Sequence, residues 1–274
     1  NQSSVETYGE RSTGVLAESL SGPGSGGTVD VRVDGITHTE GNESDGIVAQ
    51  SVGGTGADAV TVQTVDVETF GETSRGVVAL SDAGSGSGGT VDVTVIGTTS
   101  TQGNNSGGVV AESTGATSGG AVTVDQQGDV STLGNTSIGV SAKSSSSAGT
   151  GGTVDVTVTG NTVTGDPDAG TGDDSIGIFA QSVGPTGADT VTVLQDGYVA
   201  TYGERATGIE ARSEGGSGSG GLVDVDVTGF TATFGNDATG VHALSSGDVA
   251  GGAVDVWNQS SVETYGERST GVLA

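Results

Sequence analysis

The chain has 274 residues, of which 34 are acidic and seven basic, so its formal net charge is −27. This charge argues against a nucleic-acid partner, which would need a basic face. The absence of cysteine excludes a disulfide framework, an iron–sulfur cluster and a cysteine-ligated zinc site. No apolar run approaches the roughly 18–20 residues of a membrane span, and no signal-peptide pattern opens the chain. Because the chain begins with Asn1, we expect a segment of a longer protein.

An internal repeat organises the whole chain. Its pattern is Gly, then Val or Ile, any residue, Ala, any residue and Ser, and its successive steps are 32, 30, 32, 31, 38, 31, 32 and 31 residues. The period is therefore close to 31, with one insertion, and a fixed period of this size is typical of solenoids and propellers. The copies open at Gly14, Gly46, Gly76, Gly108, Gly139, Gly177, Gly208, Gly240 and Gly271.

Each repeat contains three short stretches that alternate apolar and polar residues. Residues 5–9, 14–19 and 29–33 are the first examples along the chain. A period of two predicts strands with one buried face, and no stretch has a helical period. The Gly- and Ser-rich run 22–27 separates the second stretch from the third and is typical of a turn.

Alignment of the repeats places like residues above like residues. Val or Ile follows each repeat glycine, then Ala and Ser at alternate positions, and a Val column runs through the third stretch. In a parallel β-solenoid each coil lies about 4.8 Å above the last, so each side chain stacks on its own kind. We therefore predict an all-β parallel β-solenoid (β-helix), with about 31 residues and three short strands per coil. An eight-bladed propeller is the competing fold, but its blades usually need four strands and about 40 residues.

A longer repeat lies above the coil. Residues 1–17 are identical to residues 258–274, including surface residues that core packing does not explain. We interpret residues 1–257 as one eight-coil unit and residues 258–274 as the start of the next identical unit. The alternative explanation is an artificial duplication.

Two segments resemble a known repeat. Residues 46–54 read Gly-Ile-Val-Ala-Gln-Ser-Val-Gly-Gly, and residues 177–184 read Gly-Ile-Phe-Ala-Gln-Ser-Val-Gly. This resembles the Gly-Ile-x-Ala-Gln-Ser-Val-Gly-Gly repeat of bacterial autotransporter-type (type V secreted) surface proteins. The resemblance implies a Gram-negative origin, export to the cell surface and a β-solenoid passenger, but no single activity. The absence of cysteine is compatible with export of an unfolded chain.

The insertion between the fifth and sixth copies is a candidate calcium site. Hard cations take several oxygen ligands from a tight loop, and this segment is rich in carboxylates. Its match to an EF-hand loop is partial, because Gly170 occupies the third ligand position and Thr171 the position of the turn glycine. The alternative is a solvated surface loop. The candidate ligands are Asp166, Asp168, Asp173 and Asp174.

The second strand also carries a candidate interface. If Val15 and Ala17 face the core, the residues between and beside them face outward and form an apolar stripe. Such a stripe usually marks an interface, so we expect another solenoid or the same chain to cover it. A register shifted by one residue would exchange the two faces. The stripe consists of Leu16, Val48, Val78, Val110, Phe179 and Leu273.

These observations favour a structural role over catalysis. Basic residues are scarce, the loops are short and alike, and no Ser–His–Asp constellation is present. A regular Thr column could bind ice, but the aromatic residues that alternate with it predict that Thr points inward. We expect an extracellular fibre protein of a bacterial cell surface, for attachment, cell–cell linkage or matrix, whose partner is itself. The alternative is an adhesin passenger that binds a host or glycan ligand.

Overall fold

The computed structural model describes residues 3–274, and these residues form 26 strands and no helix. All strands pair in parallel with the strand three positions along the chain, which gives three separate sheets. The predicted parallel β-solenoid is therefore confirmed, with three strands per coil. Coil 1 contains β1–β3, each following coil contains the next three strands, and β25 and β26 begin a ninth coil.

The first sheet has nine strands. Each strand contains Thr and is followed by the turn that leads to a repeat glycine. Their bounds are Val5–Tyr8 (β1), Thr37–Glu40 (β4), Val67–Phe70 (β7), Thr99–Thr101 (β10), Val130–Thr132 (β13), Thr162–Thr164 (β16), Val199–Tyr202 (β19), Thr231–Phe234 (β22) and Val262–Thr264 (β25).

The second sheet also has nine strands and carries the repeat pattern itself. Their bounds are Val15–Ser21 (β2), Ile47–Gly53 (β5), Val77–Ala83 (β8), Gly107–Gly115 (β11), Ile138–Ser146 (β14), Ile176–Val183 (β17), Thr207–Glu214 (β20), Thr239–Ser246 (β23) and Thr270–Leu273 (β26).

The third sheet has eight strands, because the chain ends before a ninth. Their bounds are Val29–Val33 (β3), Val60–Thr64 (β6), Val91–Val95 (β9), Val122–Gln126 (β12), Val154–Val158 (β15), Val191–Gln195 (β18), Val223–Val227 (β21) and Val254–Asn258 (β24).

The core is a narrow triangle of Val, Ile and Ala columns. The predicted second-strand register is correct, since Val77 and Ala79 belong to the continuous core cluster, whereas Val78 between them is buried but lies outside that cluster. The Thr column of the first sheet also points inward, as predicted, and Thr39, Thr101 and Thr233 are fully buried. Thr therefore lines the interior and does not present a flat outer face to ice.

The repeat glycine is required by a close approach at the corner between the first and second sheets. A Cβ built on Gly139 would lie 2.4 Å from the Thr162 methyl and 2.6 Å from the carbonyl oxygen of Gly177. Both neighbours belong to the next coil, so neither can withdraw without opening the stack. The other copies alternate between a Val and a Thr methyl at this point, as at Gly108 and Val130.

The Ser column of the second sheet holds the glycine-rich turns against the core. Ser113 Oγ accepts a hydrogen bond from the Gly120 amide and donates one to the Gly89 carbonyl, both at 2.8 Å. Buried polar groups need such partners, because an unpaired one costs about 1–3 kcal/mol. One hydroxyl therefore connects two coils, which explains why the column is Ser.

We predict that Gly139→Ala destabilises the chain by about 1–3 kcal/mol or more, because the added methyl overpacks a site bounded by backbone. The matched control is Gly22→Ala, where a Cβ would meet nothing within 4 Å. Thermal unfolding followed by circular dichroism measures both. Equal midpoints for the two variants would contradict the close-approach explanation.

Candidate functional site

The most distinctive site is the sequence that the two ends of the chain share, residues 1–17 and 258–274, here called the shared sequence. In its first copy, of which residues 3–17 are described, β1 and β2 pair with β4 and β5 of coil 2. In its second copy, β25 and β26 pair with β22 and β23 of coil 8. The same residues therefore fit against coil 2 on one edge and against coil 8 on the other.

A column of residues with left-handed backbone conformation includes side chains that form ion pairs between neighbouring coils. One non-glycine residue per coil has φ between 55° and 59°, at the turn that joins the first and second sheets. In coil 1, Arg11 Nε donates to Glu43 Oε2 of coil 2 at 2.8 Å. In the second copy, Arg268, the counterpart of Arg11, donates to Asp237 Oδ1 of coil 8 at 2.6 Å. This column comprises Arg11, Glu43, Thr73, Asn105, Thr136, Asp174, Arg205, Asp237 and Arg268.

The charges alternate in sign where the column nears the C-terminal end. Asp174 pairs with Arg205, whose Nε lies 2.6 Å from Asp174 Oδ1, and Asp237 pairs with Arg268 in the same way. Hydrogen bonds from the two guanidiniums lower the pKa of both carboxyls. These pairs are exposed, so each contributes little stability alone. These pairs contribute to the specificity of stacking, because a neighbouring coil with the same charge at this position would place like charges together.

Aromatic rings form a second column on the outer face of the first sheet. Tyr202, Phe234 and Tyr265 stack with centroids 4.8 and 4.9 Å apart and nearly parallel planes. At the other end, His38 lies 6.1 Å from Tyr8 and 5.1 Å from Phe70. Tyr265 and Tyr8 are counterparts in the shared sequence, so this tyrosine position has a ring partner on either side, depending on the copy.

A serine in the turn between the first and second sheets also forms hydrogen bonds with neighbouring coils in both copies. Ser44 Oγ accepts from the Ser12 amide at 3.1 Å, and Ser269 Oγ accepts from the Ala238 amide at 3.2 Å. Ser269 is the counterpart of Ser12. At this position of the shared sequence, the serine amide donates to the following coil in one copy, and the serine hydroxyl accepts from the preceding coil in the other. The serines of the inner coils make the same hydrogen bonds.

The predicted apolar stripe is only partly exposed. Its members face outward, yet Val48 and Val78 are 8% and 0% exposed, because their neighbours in this chain cover them. Val110 and Phe179 are half-buried, and only the end residues Leu16 (56%) and Leu273 (51%) are widely exposed. Contact of this stripe with a second solenoid stays a prediction.

Three of the four candidate calcium ligands already have partners for their carboxylates within the chain. Asp166 Oδ1 accepts from the Asp168 amide at 2.8 Å, Asp173 Oδ1 accepts from the Glu204 amide at 2.8 Å, and Asp174 pairs with Arg205. Within residues 3–274, no group of three or more His, Asp or Glu side chains is arranged to hold a metal. Calcium binding stays a prediction, which the unfolding midpoint with and without a chelator decides.

Comparison with known proteins identifies no relative. A scan against protein-family models, a search of curated proteins and a search of solved structures each found no match for this chain. Among the residues that the structure describes, no helix is long and apolar enough to cross a membrane.

The position of His38 predicts a pH-dependent stability. Burial alone would lower its pKa, but hydrogen bonds with Glu40 (3.3 Å) and Glu68 (3.2 Å) outweigh burial, so the pKa is raised. A raised folded-state pKa contributes stability that is fully present below the unfolded value of about 6.5 and is lost as pH rises through the folded value.

We therefore predict that His38→Gln lowers the unfolding midpoint more at about pH 5.5 than at about pH 8.5, since only the protonated imidazole gains from the two carboxylates. Chemical denaturation of both proteins at the two pH values measures the difference. A penalty that is equal at both, or larger at high pH, would contradict this assignment.

Proposed function

We propose that this chain is a segment of a structural extracellular fibre of a bacterial cell surface, built from tandem eight-coil units. The observation that carries the proposal is the double fit of the shared sequence, which pairs with coil 2 in one copy and with coil 8 in the other. A unit whose first coil also fits its own last coil can follow itself without a mismatch. Its strand edges are then used by the next unit instead of being exposed.

The contacts at each copy support the same arrangement. A single coil placed between coil 8 and coil 2 keeps Asp237 on one side of its arginine and Glu43 on the other. Its tyrosine stacks on Phe234 on one side and lies beside His38 on the other. The stack of Tyr202, Phe234 and this tyrosine then adjoins His38, which belongs to the neighbouring column and is tilted against the tyrosine ring. In the first and second sheets, the shared sequence therefore has a partner on either side of the proposed boundary.

The charge of the chain suits a long thread that stays separate from neighbouring threads. The net charge of −27 gives neighbouring fibres a mutual repulsion that keeps them soluble and separate. The resemblance of residues 46–54 to autotransporter-type repeats and the absence of cysteine support export to a bacterial surface. Attachment, cell–cell linkage and matrix formation are the uses that a stiff surface thread serves.

An adhesin that binds a glycan is the second candidate, and one feature favours it. The insertion lies beside Tyr202, whose column neighbour in the preceding coil is Gly165 instead of another ring. Asp166, Pro167 and Tyr202 border a cleft at this point. A ring next to a carboxylate is an arrangement that can recognise a sugar. Glycan-array screening of this chain tests that alternative.

We predict that joining a second unit doubles the rod instead of producing a bent or beaded particle. The test protein has residues 1–257 followed by residues 1–274, and the control is the 274-residue chain. Eight coils at about 4.8 Å predict an added length of about 38 Å. Negative-stain electron microscopy and small-angle scattering measure it. Two rods joined at a variable angle would contradict the fibre proposal.

A further inference from the structure

The third sheet has a strand edge at each end of the unit. β3 pairs only with β6, and β24 pairs only with β21. The shared sequence ends before its third strand, so it does not cover β24. Val254 and Val256 are only half-buried as a result, whereas Val223 and Val225 in the strand beside them are fully buried. A strand with open backbone groups and an uncovered apolar side is a template for another strand.

We infer that β24 receives β3 of a following unit, and that Arg32 of that unit lies over the indole of Trp257. This inference rests on the proposed tandem arrangement and names the contact that closes the unit boundary. The repeat fixes the register, since Val29 then follows Val254 and Val31 follows Val256 in their inward columns. The resulting pairs have the parallel geometry that β21 and β24 already show.

The outward column explains why Arg32 and Trp257 meet. Within the unit, the register places one residue of each coil in this column, from Arg32 in coil 1 to Trp257 in coil 8. The next member is Arg32 of the following unit. The strand spacing of about 4.8 Å lies within the roughly 6 Å over which a guanidinium and an indole attract each other.

Both side chains are suited to the contact. Trp257 is the single tryptophan of the chain and is 61% exposed. The Arg32 side chain is 65% exposed, and its Nε lies 3.0 Å from Asp34 Oδ1. Asp34 orients the guanidinium on the outer face, where a planar group can lie on a ring while keeping its carboxylate partner.

The column that contains Asp224 and Asp255 places carboxylates near this contact. Asp and Thr alternate along this column until Asp224 is followed directly by Asp255. Asp30 of a following unit would place a third carboxylate beside them. Like charges in adjacent strands oppose pairing, so the cation of Arg32 next to this group favours closure of the boundary.

Tryptophan fluorescence tests the inference directly. In the two-unit chain, the outer Trp257 is replaced by Phe, so the remaining tryptophan lies at the inner boundary. The comparison is the 274-residue chain, in which Trp257 is at the open edge. We expect acrylamide to quench the inner tryptophan about twofold less, because one face of the indole is covered.

Variants of the second unit identify the covering group. Arg32→Gln should restore much of the quenching, Arg32→Lys should restore less because it keeps a cation, and Arg212→Gln, far from the boundary, should change nothing. Equal quenching of the one-unit and two-unit chains would overturn the strand pairing. Protection that survives Arg32→Gln would overturn the role of Arg32. A rod of doubled length with an exposed tryptophan contradicts this inference alone, whereas a beaded particle contradicts the fibre proposal.

Discussion

The parallel hydrogen-bond ladder between successive coils is the constraint on which the whole structure depends. Each inner strand donates backbone hydrogen bonds to both of its neighbours and accepts them from both. The spacing of about 4.8 Å leaves every side chain in contact with its equivalents. A residue is therefore selected for how it packs against itself one coil away. Val, Ile, Ala, Thr and Ser satisfy that demand in the core columns, and the corner glycines satisfy it where a Cβ would meet the next coil.

Charged and aromatic residues answer the same constraint on the surface. An acidic chain stacked on itself repels along each column, and the structure relieves this by alternating residue types or signs. Asp alternates with Thr along most of one column of the third sheet, and Asp174, Arg205, Asp237 and Arg268 alternate in sign at the turn. The rings of Tyr202, Phe234 and Tyr265 stack because the coil spacing is close to the spacing of parallel rings.

The fold was predictable from the sequence because every copy of the repeat has the same pattern of inward and outward residues. The columns headed by Val15 and Ala17 identified the inner face, and the glycine steps identified the coil. The burial of Val48 and Val78 was not predictable from alternation, because alternation assigns both residues to the outer face of the strand. The outer face of one strand can be buried by its own coil neighbours, which a pattern of period two does not express.

The properties of the shared sequence were only half accessible. The identity of its two copies could be read from the sequence. The left-handed conformation of Arg11 and the ion pairs that this arginine position makes with Glu43 in one copy and Asp237 in the other could not. Non-glycine residues at positive φ carry no strong sequence signal unless they are Asn or Asp. The ring partners of Tyr8 and Tyr265 belong to different coils, and only the register of the sheet brings them together.

X-ray fibre diffraction from aligned native material tests the central claim most directly, that units continue coil on coil along one axis. The account predicts a reflection at about 4.8 Å along the fibre axis, together with an axial repeat of about 38 Å for eight coils. A 4.8 Å spacing perpendicular to the axis, or no axial repeat near the unit length, would contradict it.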